Sequence, residues 1–237
     1  MSNIRIFVSH RIDIDSETVD TPVYFPVRCG AVYDEEGNSE IQGDDTGDNI
    51  SKLRMSFCEF TVQYWAWKNV DADYYGLCHY RRYLSFSDKR YKNTVFNMVR
   101  ELKLTPHEKK KYHLDDTKKI EKTVKQYDMI IPVVAKASEM SYNRAEVKTL
   151  REMWESYNGV YFEQGIIDKM FSLIKEYSPE YYNSACEYFS GKYHRAFNCY
   201  IMKKELFVRM CEFQFPIMKR ITEITDCKTY ERAPCLL

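Results

Sequence analysis

The sequence predicts an α/β fold in which helices flank a central mixed, mainly parallel sheet. Three observations indicate this fold. Strand-like and helix-like segments alternate along the chain, polar loops follow the strands or precede the helices, and 237 residues are enough to bury a large core. We expect a single domain over residues 1–237.

Short apolar segments predict the strands of this sheet. In the first, Ile4, Ile6 and Val8 recur with a period of two, and the strand ends at His10. The other expected strands or extended pieces are 22–27, 74–78, 127–134 and 197–202. Ligands of open α/β sheets bind at the carboxyl ends of the strands, so the loops that follow these segments are candidate sites.

Helical periodicity predicts three longer helical regions. The first runs from Phe57 to Asn69, and Ser56 with Glu59 form an S-x-x-E pattern that predicts a capping box at its start. The other two are 146–188, with breaks near 158–159 and at Pro179, and 204–221, with an interruption at Pro216.

Residues 87–126 are unusually basic and polar. We expect a solvated helical insertion there. A basic patch that faces a membrane or an acceptor substrate is the alternative. Over the whole chain, 35 lysines and arginines balance 35 aspartates and glutamates. This balance argues against a nucleic-acid binder.

The eight cysteines include no pair with C-x-x-C spacing, so a zinc site is not expected. Met1 leads directly into the first strand without a signal peptide, and no apolar run reaches the ~20 residues of a membrane-spanning helix. We therefore expect a cytoplasmic protein with reduced thiols, with peripheral contact to the inner face of the membrane as an alternative.

The first candidate site is the loop 43–51, which reads Gly-Asp-Asp-Thr-Gly-Asp-Asn-Ile-Ser. Glycines allow close ligand approach, and the acids with Asn49 could hold sugar hydroxyls, a base or a cation. An Asx-rich turn without any ligand is the alternative. If Asp44, Asp45 and Asp48 bind a cation, Mn²⁺ or Mg²⁺ is the expected ion; otherwise we expect no metal and no cofactor.

The second candidate site is His79-Tyr-Arg-Arg-Tyr83, directly after a buried strand. Arg81 and Arg82 suit a pyrophosphate, since arginine offers a planar fork of donors and keeps its charge. His79 could donate to a phosphate oxygen or act as an acid or base. The two arginines could instead bridge to surface acids.

Weaker signals lie in the helix that ends at Lys68 and Asn69 and in the strand that begins near Asn198. Lys68 could contact a base, and Asn198 could order a hydroxyl of donor or acceptor. We interpret Glu59 as a helix cap. The motifs of common hydrolases, NTPases and dehydrogenases are absent.

Several stretches together resemble a bacterial family of capsular and exopolysaccharide biosynthesis glycosyltransferases, domain of unknown function 4422. The two most specific blocks are Asp44-Asp-Thr-Gly-Asp-Asn-Ile-Ser51 and Gly76-Leu-Cys-His-Tyr-Arg-Arg-Tyr83. The other matching stretches are 6–10, 26–30, 58–59, 64–69, 71–73, 127–132, 178–181 and 198–207.

The resemblance implies a GT-A-like (Rossmann-like) fold and sugar transfer from a nucleotide-sugar donor, with UDP as the expected nucleotide and galactose or galactofuranose as candidate sugars. The acceptor would be a lipid-linked glycan or oligosaccharide in capsule, exopolysaccharide or O-antigen synthesis. We expect Asp45, Asp48 and His79 to be catalytic. The expected donor-binding residues are His10, Asp44, Thr46, Asn49, Lys68, Arg81, Arg82 and Asn198.

The chain departs from the family pattern in two places. Tyr157-Asn-Gly-Val-Tyr161 stands where the family carries histidines, and Arg232-Ala-Pro-Cys-Leu-Leu237 stops before a glutamate of the family's last helix. A catalytically impaired nucleotide- or glycan-binding relative is therefore one alternative, and a sugar-phosphate transferase is another.

Overall fold

The structure is a computed structural model that describes residues 3–13, 19, 21–35, 40–91, 94–95, 98–100, 104–195 and 197–226. The stretch 232–237 lies outside the described residues. The whole chain divides into two compact units according to the contacts within it. Unit 1 comprises Met1–Arg54, Cys58–Val133 and Phe197–Arg209, and unit 2 comprises Met55–Phe57, Val134–Ala196 and Met210–Leu237.

The described strands, in chain order, are β1 (Ile4–Arg11), β2 (Tyr24–Cys29), β3 (Gln42–Gly43), β4 (Tyr74–His79), β5 (Arg82–Leu84), β6 (Thr94–Val95), β7 (Met98–Arg100), β8 (Met129–Ile130), β9 (Ala135–Lys136), β10 (Tyr193–His194) and β11 (Tyr200–Lys203). The described α-helices are α1 (Arg54–Phe57), α2 (Phe60–Asn69), α3 (Pro106–Lys111), α4 (Thr117–Val124), α5 (Ala137–Met140), α6 (Leu150–Glu155), α7 (Ile166–Tyr177), α8 (Pro179–Ser190) and α9 (Lys204–Ile224).

Unit 1 is built on a mixed sheet with the strand order β3-β2-β1-β4-β5-β7-β6, and β11 pairs with both β4 and β8. The ladders β2–β3, β1–β2 and β1–β4 are parallel, and the two longest ladders are among them. The remaining ladders of this sheet are antiparallel. This architecture confirms the predicted α/β fold with a central mixed sheet.

Each face of β1 packs against a different helix. Ile4, Ile6 and Val8 belong to a buried cluster that also holds Ile120 and Val124 of α4. On the opposite face, the Phe7 and Trp65 rings meet edge to face with their centres 6.3 Å apart, which packs α2 against the sheet. Burial of both faces is typical of parallel sheets with helices on each side.

The segment 87–126 is not a solvated helical insertion. It contains the strands β6 and β7 as well as α3 and α4, and Tyr112, Leu114 and Ile120 are fully buried in the unit 1 core. In α4, Lys118 and Lys122 are exposed whereas Ile120 and Val124 are buried, so the basic composition of the segment concealed an amphipathic helix. The expected helical content is therefore only partly correct.

Two further expectations differ from the structure. The strand expected over 127–134 is reduced to β8, since Pro132 has no N–H for a ladder and Val133 is exposed. The helix expected over 204–221 is continuous through Pro216. Its neighbours Phe215 and Ile217 are buried, and this packing outweighs the local cost of a proline.

Unit 2 is mainly helical, as expected for 146–188, with α8 beginning at Pro179. Its main buried cluster joins Ile166, Met170 and Ile174 of α7 with Phe189 of α8 and Ile217 of α9. β9 and β10 form a short antiparallel pair in this unit. The apolar residues of α7 recur at helical spacing, which is why this helix forms and buries one side.

Candidate functional site

The carboxyl ends of the parallel strands bring predicted site residues to one edge of the unit 1 sheet. β1 ends at Arg11, and its ladders set His10 opposite Arg28 of β2 and Ser9 opposite His79 of β4. His10 is buried, and His79 is half-buried. The two histidines therefore lie on neighbouring strands at the edge where parallel sheets bind ligands.

The two predicted arginines lie in a tight hairpin between β4 and β5, in which His79 pairs with Arg82. The Arg81 backbone N–H donates to Nδ1 of His79 at 3.4 Å. The Arg81 guanidinium lies 5.3 Å from the centre of the Tyr80 ring, and that of Arg82 lies 4.9 Å from the centre of the Phe197 ring. Aromatic faces hold a guanidinium without neutralising its charge.

Both histidines of this edge are uncharged near neutral pH. Burial lowers the pKa of His10 from 6.5 to about 4. Burial, followed by the charges of Arg82 and Arg81, lowers the pKa of His79 to about 3. The positive charge at this edge of the sheet therefore comes from arginine, and His79 is suited to hydrogen bonding in its neutral form.

Asp44 faces the protein interior and is fully buried. Its carboxylate accepts hydrogen bonds from the backbone N–H groups of Gly30 and Ala31, both at 2.9 Å. It also accepts from the hydroxyls of Ser51 and Thr61, both at 2.5 Å. With four donors directed at it, Asp44 joins the end of β2 to α2 and holds the loop in place.

Two glycines allow the loop to take this course. Gly30 has a φ of +72°, and a Cβ there would lie 2.1 Å from Cδ of Arg54. Gly47 has a φ of +57°, and its Cβ would lie 2.0 Å from Oδ1 of Asn69. Any other residue at either position would meet both backbone strain and a clash.

The part of the loop after Asp44 is fixed to α2. The Trp65 indole N–H donates to the Thr46 hydroxyl at 3.0 Å, and the Tyr64 hydroxyl donates to Asp48 Oδ1 at 3.2 Å. The Asn69 side chain donates to the Asp48 carbonyl at 2.8 Å and accepts from its N–H at 3.1 Å. The loop therefore presents a defined surface, because hydrogen bonds to α2 hold its polar residues in place.

The other predicted residues of this region are placed as follows. Asn49 braces the loop internally, since its side-chain amide donates to the carbonyls of Asp45 and Gly47 at 3.0 and 3.1 Å. Asp45 is exposed. Lys68 is also exposed, with its ammonium 3.4 Å from the centre of the Trp67 ring.

The acids of the loop do not converge on one point. Asp44 faces four donors, whereas a cation would need its oxygens to face an electron-poor centre together with other oxygen ligands. Asp48 accepts from Tyr64 instead. Among the described residues there is no group of three or more histidine, cysteine, aspartate or glutamate side chains placed to hold a metal ion.

Glu59 makes a contact that its sequence pattern does not predict, because S-x-x-E indicates a helix cap. The structure contradicts the capping box: α2 begins at Phe60, and Glu59 makes no side-chain bond to the helix start. Its Oε1 instead accepts from the side-chain amide of Asn198 at 3.1 Å. The two residues are 139 positions apart, and no local sequence signal could have revealed this pair.

Comparison with protein families matches residues 5–234 to a domain of unknown function, DUF4422. The chain belongs to the DUF4422 family. The match covers almost all of its length, including the loop 43–51 and the hairpin between β4 and β5. No curated protein matches the chain.

Among solved structures, this DUF4422 chain is similar to the apo structure of the WbbM bifunctional glycosyltransferase. The TM-score is 0.82 at 24% sequence identity, and the match covers 98% of this chain. At this identity the likeness shows a shared fold. The chain corresponds to 40% of the WbbM chain, so it spans less than half of that protein.

Unit 2 of the DUF4422 chain holds a cleft of about 540 Å³ along α6, α7 and α8. Its lining includes Arg151 and Asp168, which form an ion pair at 2.5 Å, together with Lys175, Tyr182 and Phe189. None of the residues predicted from the sequence lines this cleft. The unit 1 edge is therefore the candidate site for the predicted chemistry.

Peripheral contact with the membrane, the alternative given above, stays a prediction for this DUF4422 chain. In the described part of the chain, no helix is both long enough and apolar enough to cross a bilayer.

Proposed function

We propose that this protein is a GT-A-like glycosyltransferase that moves a sugar from a UDP-linked donor to a glycan acceptor. The observation that carries the proposal is the hairpin with His79, Arg81 and Arg82 at the carboxyl edge of the parallel strands. Two further findings support it: the chain belongs to the DUF4422 family, and its fold is shared with a bifunctional glycosyltransferase.

The hairpin would bind the diphosphate of the donor. Sugar transfer breaks the bond between the anomeric carbon and a phosphate oxygen, and negative charge develops on the leaving diphosphate. Guanidinium groups already held on the Tyr80 and Phe197 rings would stabilise that charge without reorganisation. Neutral His79 would add a hydrogen bond to a phosphate oxygen, as would His10 on the neighbouring strand.

The loop 43–51 would hold the nucleoside or the sugar of the donor. Its exposed side chains Asp45, Thr46 and Asp48 lie on a backbone that α2 fixes, and Lys68 lies at the end of the same helix. Asp44 would contribute indirectly by holding the loop in position. Because Asp44 faces donors, the proposed transfer needs no metal ion at these acids.

The wider context is also part of the proposal. The donor sugar would be galactose or galactofuranose, and the acceptor a lipid-linked glycan or oligosaccharide in capsule, exopolysaccharide or O-antigen synthesis. An acceptor of this kind would bring the protein to the membrane surface without a spanning helix. The name of the structural neighbour, a bifunctional glycosyltransferase, supports the transfer class.

Titration of UDP against the wild type and the Arg81→Ala/Arg82→Ala variant tests the diphosphate assignment. Losing two charged hydrogen-bond donors should cost at least about 2 kcal/mol, or about 30-fold in Kd. The matched control is Lys219→Ala/Arg220→Ala, which removes two exposed cations that follow one another in the sequence of α9. Equal affinity in wild type and the Arg81/Arg82 variant would refute the assignment.

The same titration with and without a chelator tests metal independence. We expect the UDP affinity to stay unchanged in the chelator. Strict dependence on Mn²⁺ would show that the acids of the loop rearrange around a cation.

Mass analysis of the product tests the reaction class. A transferred sugar without phosphate supports the proposal, and a product that retains phosphate indicates a sugar-phosphate transferase. Binding without turnover indicates an impaired relative.

A further inference from the structure

Glu59 and Asn198 form a pair whose local chain conformations are both unusual. The residue before Glu59 is Cys58, with φ 49° and ψ −131°, and the residue before Asn198 is Phe197, with φ 73°. Neither is glycine, and each such position costs roughly 1–3 kcal/mol of strain. A fold retains strain of this kind where the surrounding structure fixes it, and such positions cluster at functional sites.

The Glu59 side chain does not cap the helix that it precedes. At the N-cap of α2 a glutamate would be expected to bond the helix N–H groups or point to solvent, but this one reaches Asn198. Asn198 directly precedes the segment that leads into β11, which pairs with β4. The pair therefore joins the start of α2 to the strand beside the arginine hairpin.

Two contacts and one peptide bond connect this carboxylate to Arg82. The Arg82 guanidinium lies over the Phe197 ring, Asn198 follows Phe197 in the chain, and Asn198 holds Glu59. Glu59 is half-buried. The Asn198 amide occupies one lone pair of Oε1, which leaves acceptor capacity on the carboxylate for a substrate hydroxyl.

We propose that Glu59 is the general base of the transfer reaction and that Asn198 is the residue that positions it. This inference rests on the function proposed above. The acceptor hydroxyl gives its proton to the Glu59 carboxylate while its oxygen forms a bond to the anomeric carbon. The bond from that carbon to the diphosphate breaks, and the electron pair leaves with the phosphate oxygen beside Arg81 and Arg82. The reaction inverts the anomeric configuration.

The other carboxylates of this region fit the role less well. Asp44 is buried behind four donors, and Asp48 accepts a hydrogen bond from Tyr64, a buried residue of α2. Asp45 is exposed, and its Oδ1 lies against Gly43 rather than beside the arginine hairpin. A base needs a defined position within hydrogen-bond reach of the proton that it removes.

The first experiment compares wild type with Glu59→Gln, which keeps the shape and removes the charge. We expect kcat to fall by about 10²- to 10⁴-fold while the Kd for UDP stays within about threefold. Glu59→Asp, with a shorter carboxylate, should keep intermediate activity, and the matched control Glu205→Gln on the exposed side of α9 should keep full activity. NMR of the product should show the inverted anomer.

The second experiment tests the positioning role through the pH profile. Asn198→Asp places a second negative charge beside the Glu59 carboxylate, so it should move the acid limb of the kcat profile to higher pH. Asn198→Ala, which removes the donor that orients the carboxylate, should lower kcat more than it changes KM. A purely structural role of Asn198 would lower activity without moving the limb.

The outcomes separate this inference from the proposed function. If wild type binds UDP and transfers sugar but Glu59→Gln keeps kcat within about threefold, Glu59 is not the base. A large loss of UDP affinity in Glu59→Gln, or a product with retained configuration, would also overturn the inference. Wild type that neither binds nor turns over a nucleotide-sugar would refute the proposed function itself, and the inference with it.

Discussion

The Asp44 carboxylate has no contact with solvent. Its four hydrogen-bond donors offset the free-energy cost of burying it. Replacement by alanine would remove the acceptor of the Gly30 and Ala31 N–H groups and of the Ser51 hydroxyl in the interior, whereas the Thr61 hydroxyl also contacts the Cys58 carbonyl. We expect Asp44→Ala to lower the free energy of unfolding by at least about 3 kcal/mol. Chemical denaturation of the purified variant measures this change.

The neighbouring Asp45 provides the matched control, since it has the same side chain but is exposed. Asp45→Ala should change the free energy of unfolding by no more than about 0.5 kcal/mol. Similar losses in both variants would show that Asp44 is not the internal anchor of the loop.

These two aspartates also show what the residue pattern of the loop could not predict. The sequence predicts that three acids and Asn49 of the loop act together as ligands, with an Asx-rich turn as the alternative. In the structure Asp44 points inward and Asp45 outward, although the two are adjacent. The direction depends on the left-handed backbone at Gly30 and Gly47 and on partners far along the chain, which a count of polar residues does not contain.

At the level of elements, the junction between α1 and α2 is the place where backbone strain should be measurable. Cys58 has a φ of 49° and a ψ of −131°, a region that glycine enters freely and β-branched residues avoid. We expect Cys58→Gly to keep the free energy of unfolding within about 1 kcal/mol of wild type, because relief of strain offsets the entropy of glycine. Cys58→Val should be less stable than Cys58→Gly by about 2 kcal/mol.

Thermal or chemical unfolding of the two variants provides the comparison, which does not depend on the thiol because both substitutions remove it. A valine variant as stable as the glycine variant would mean that the junction relaxes to an ordinary conformation. Glu59 would then lose the geometry that directs it to Asn198.

The elements themselves were predictable where one physical signal dominated. β1 and β4 follow from short apolar segments in a chain of alternating strands and helices, and the end of α2 at Asn69 follows from helical spacing. The start of α2 did not follow, since the S-x-x-E pattern matched a capping box whose backbone geometry is absent. β8 is short because Pro132 ends the pairing, although the apolar composition around it favoured a longer strand.

At the scale of the whole molecule, the parallel strands explain why separate sequence blocks belong to one candidate site. The blocks around His10, the loop 43–51 and His79 each follow a strand of the same parallel set, so they reach the same edge of the sheet. This part of the site was predictable from strand order. Asn198 was only a weak candidate from its place at the start of an apolar strand, because that strand joins the sheet antiparallel and from far along the chain.

The stability of the molecule should depend on pH through histidines that are buried in their neutral form. Burial lowers the pKa of His10 to about 4, and burial also lowers the pKa of His194 to about 4. The pKa of His79 falls to about 3, first through burial and then through the neighbouring arginines. Each lies below the ordinary value of 6.5, so between pH 6.5 and about 4 the unfolded chain binds more protons than the folded one.

The free energy of unfolding should therefore be highest above pH 6.5 and fall as the pH decreases towards 4. For a histidine as buried as His10, the loss could reach about 3 kcal/mol at the acid end of this range. Urea denaturation at about pH 7 and about pH 5 measures the slope, before most carboxylates titrate. His10→Gln should reduce that slope whatever its effect on absolute stability, and an unchanged slope would show that His10 becomes protonated without unfolding.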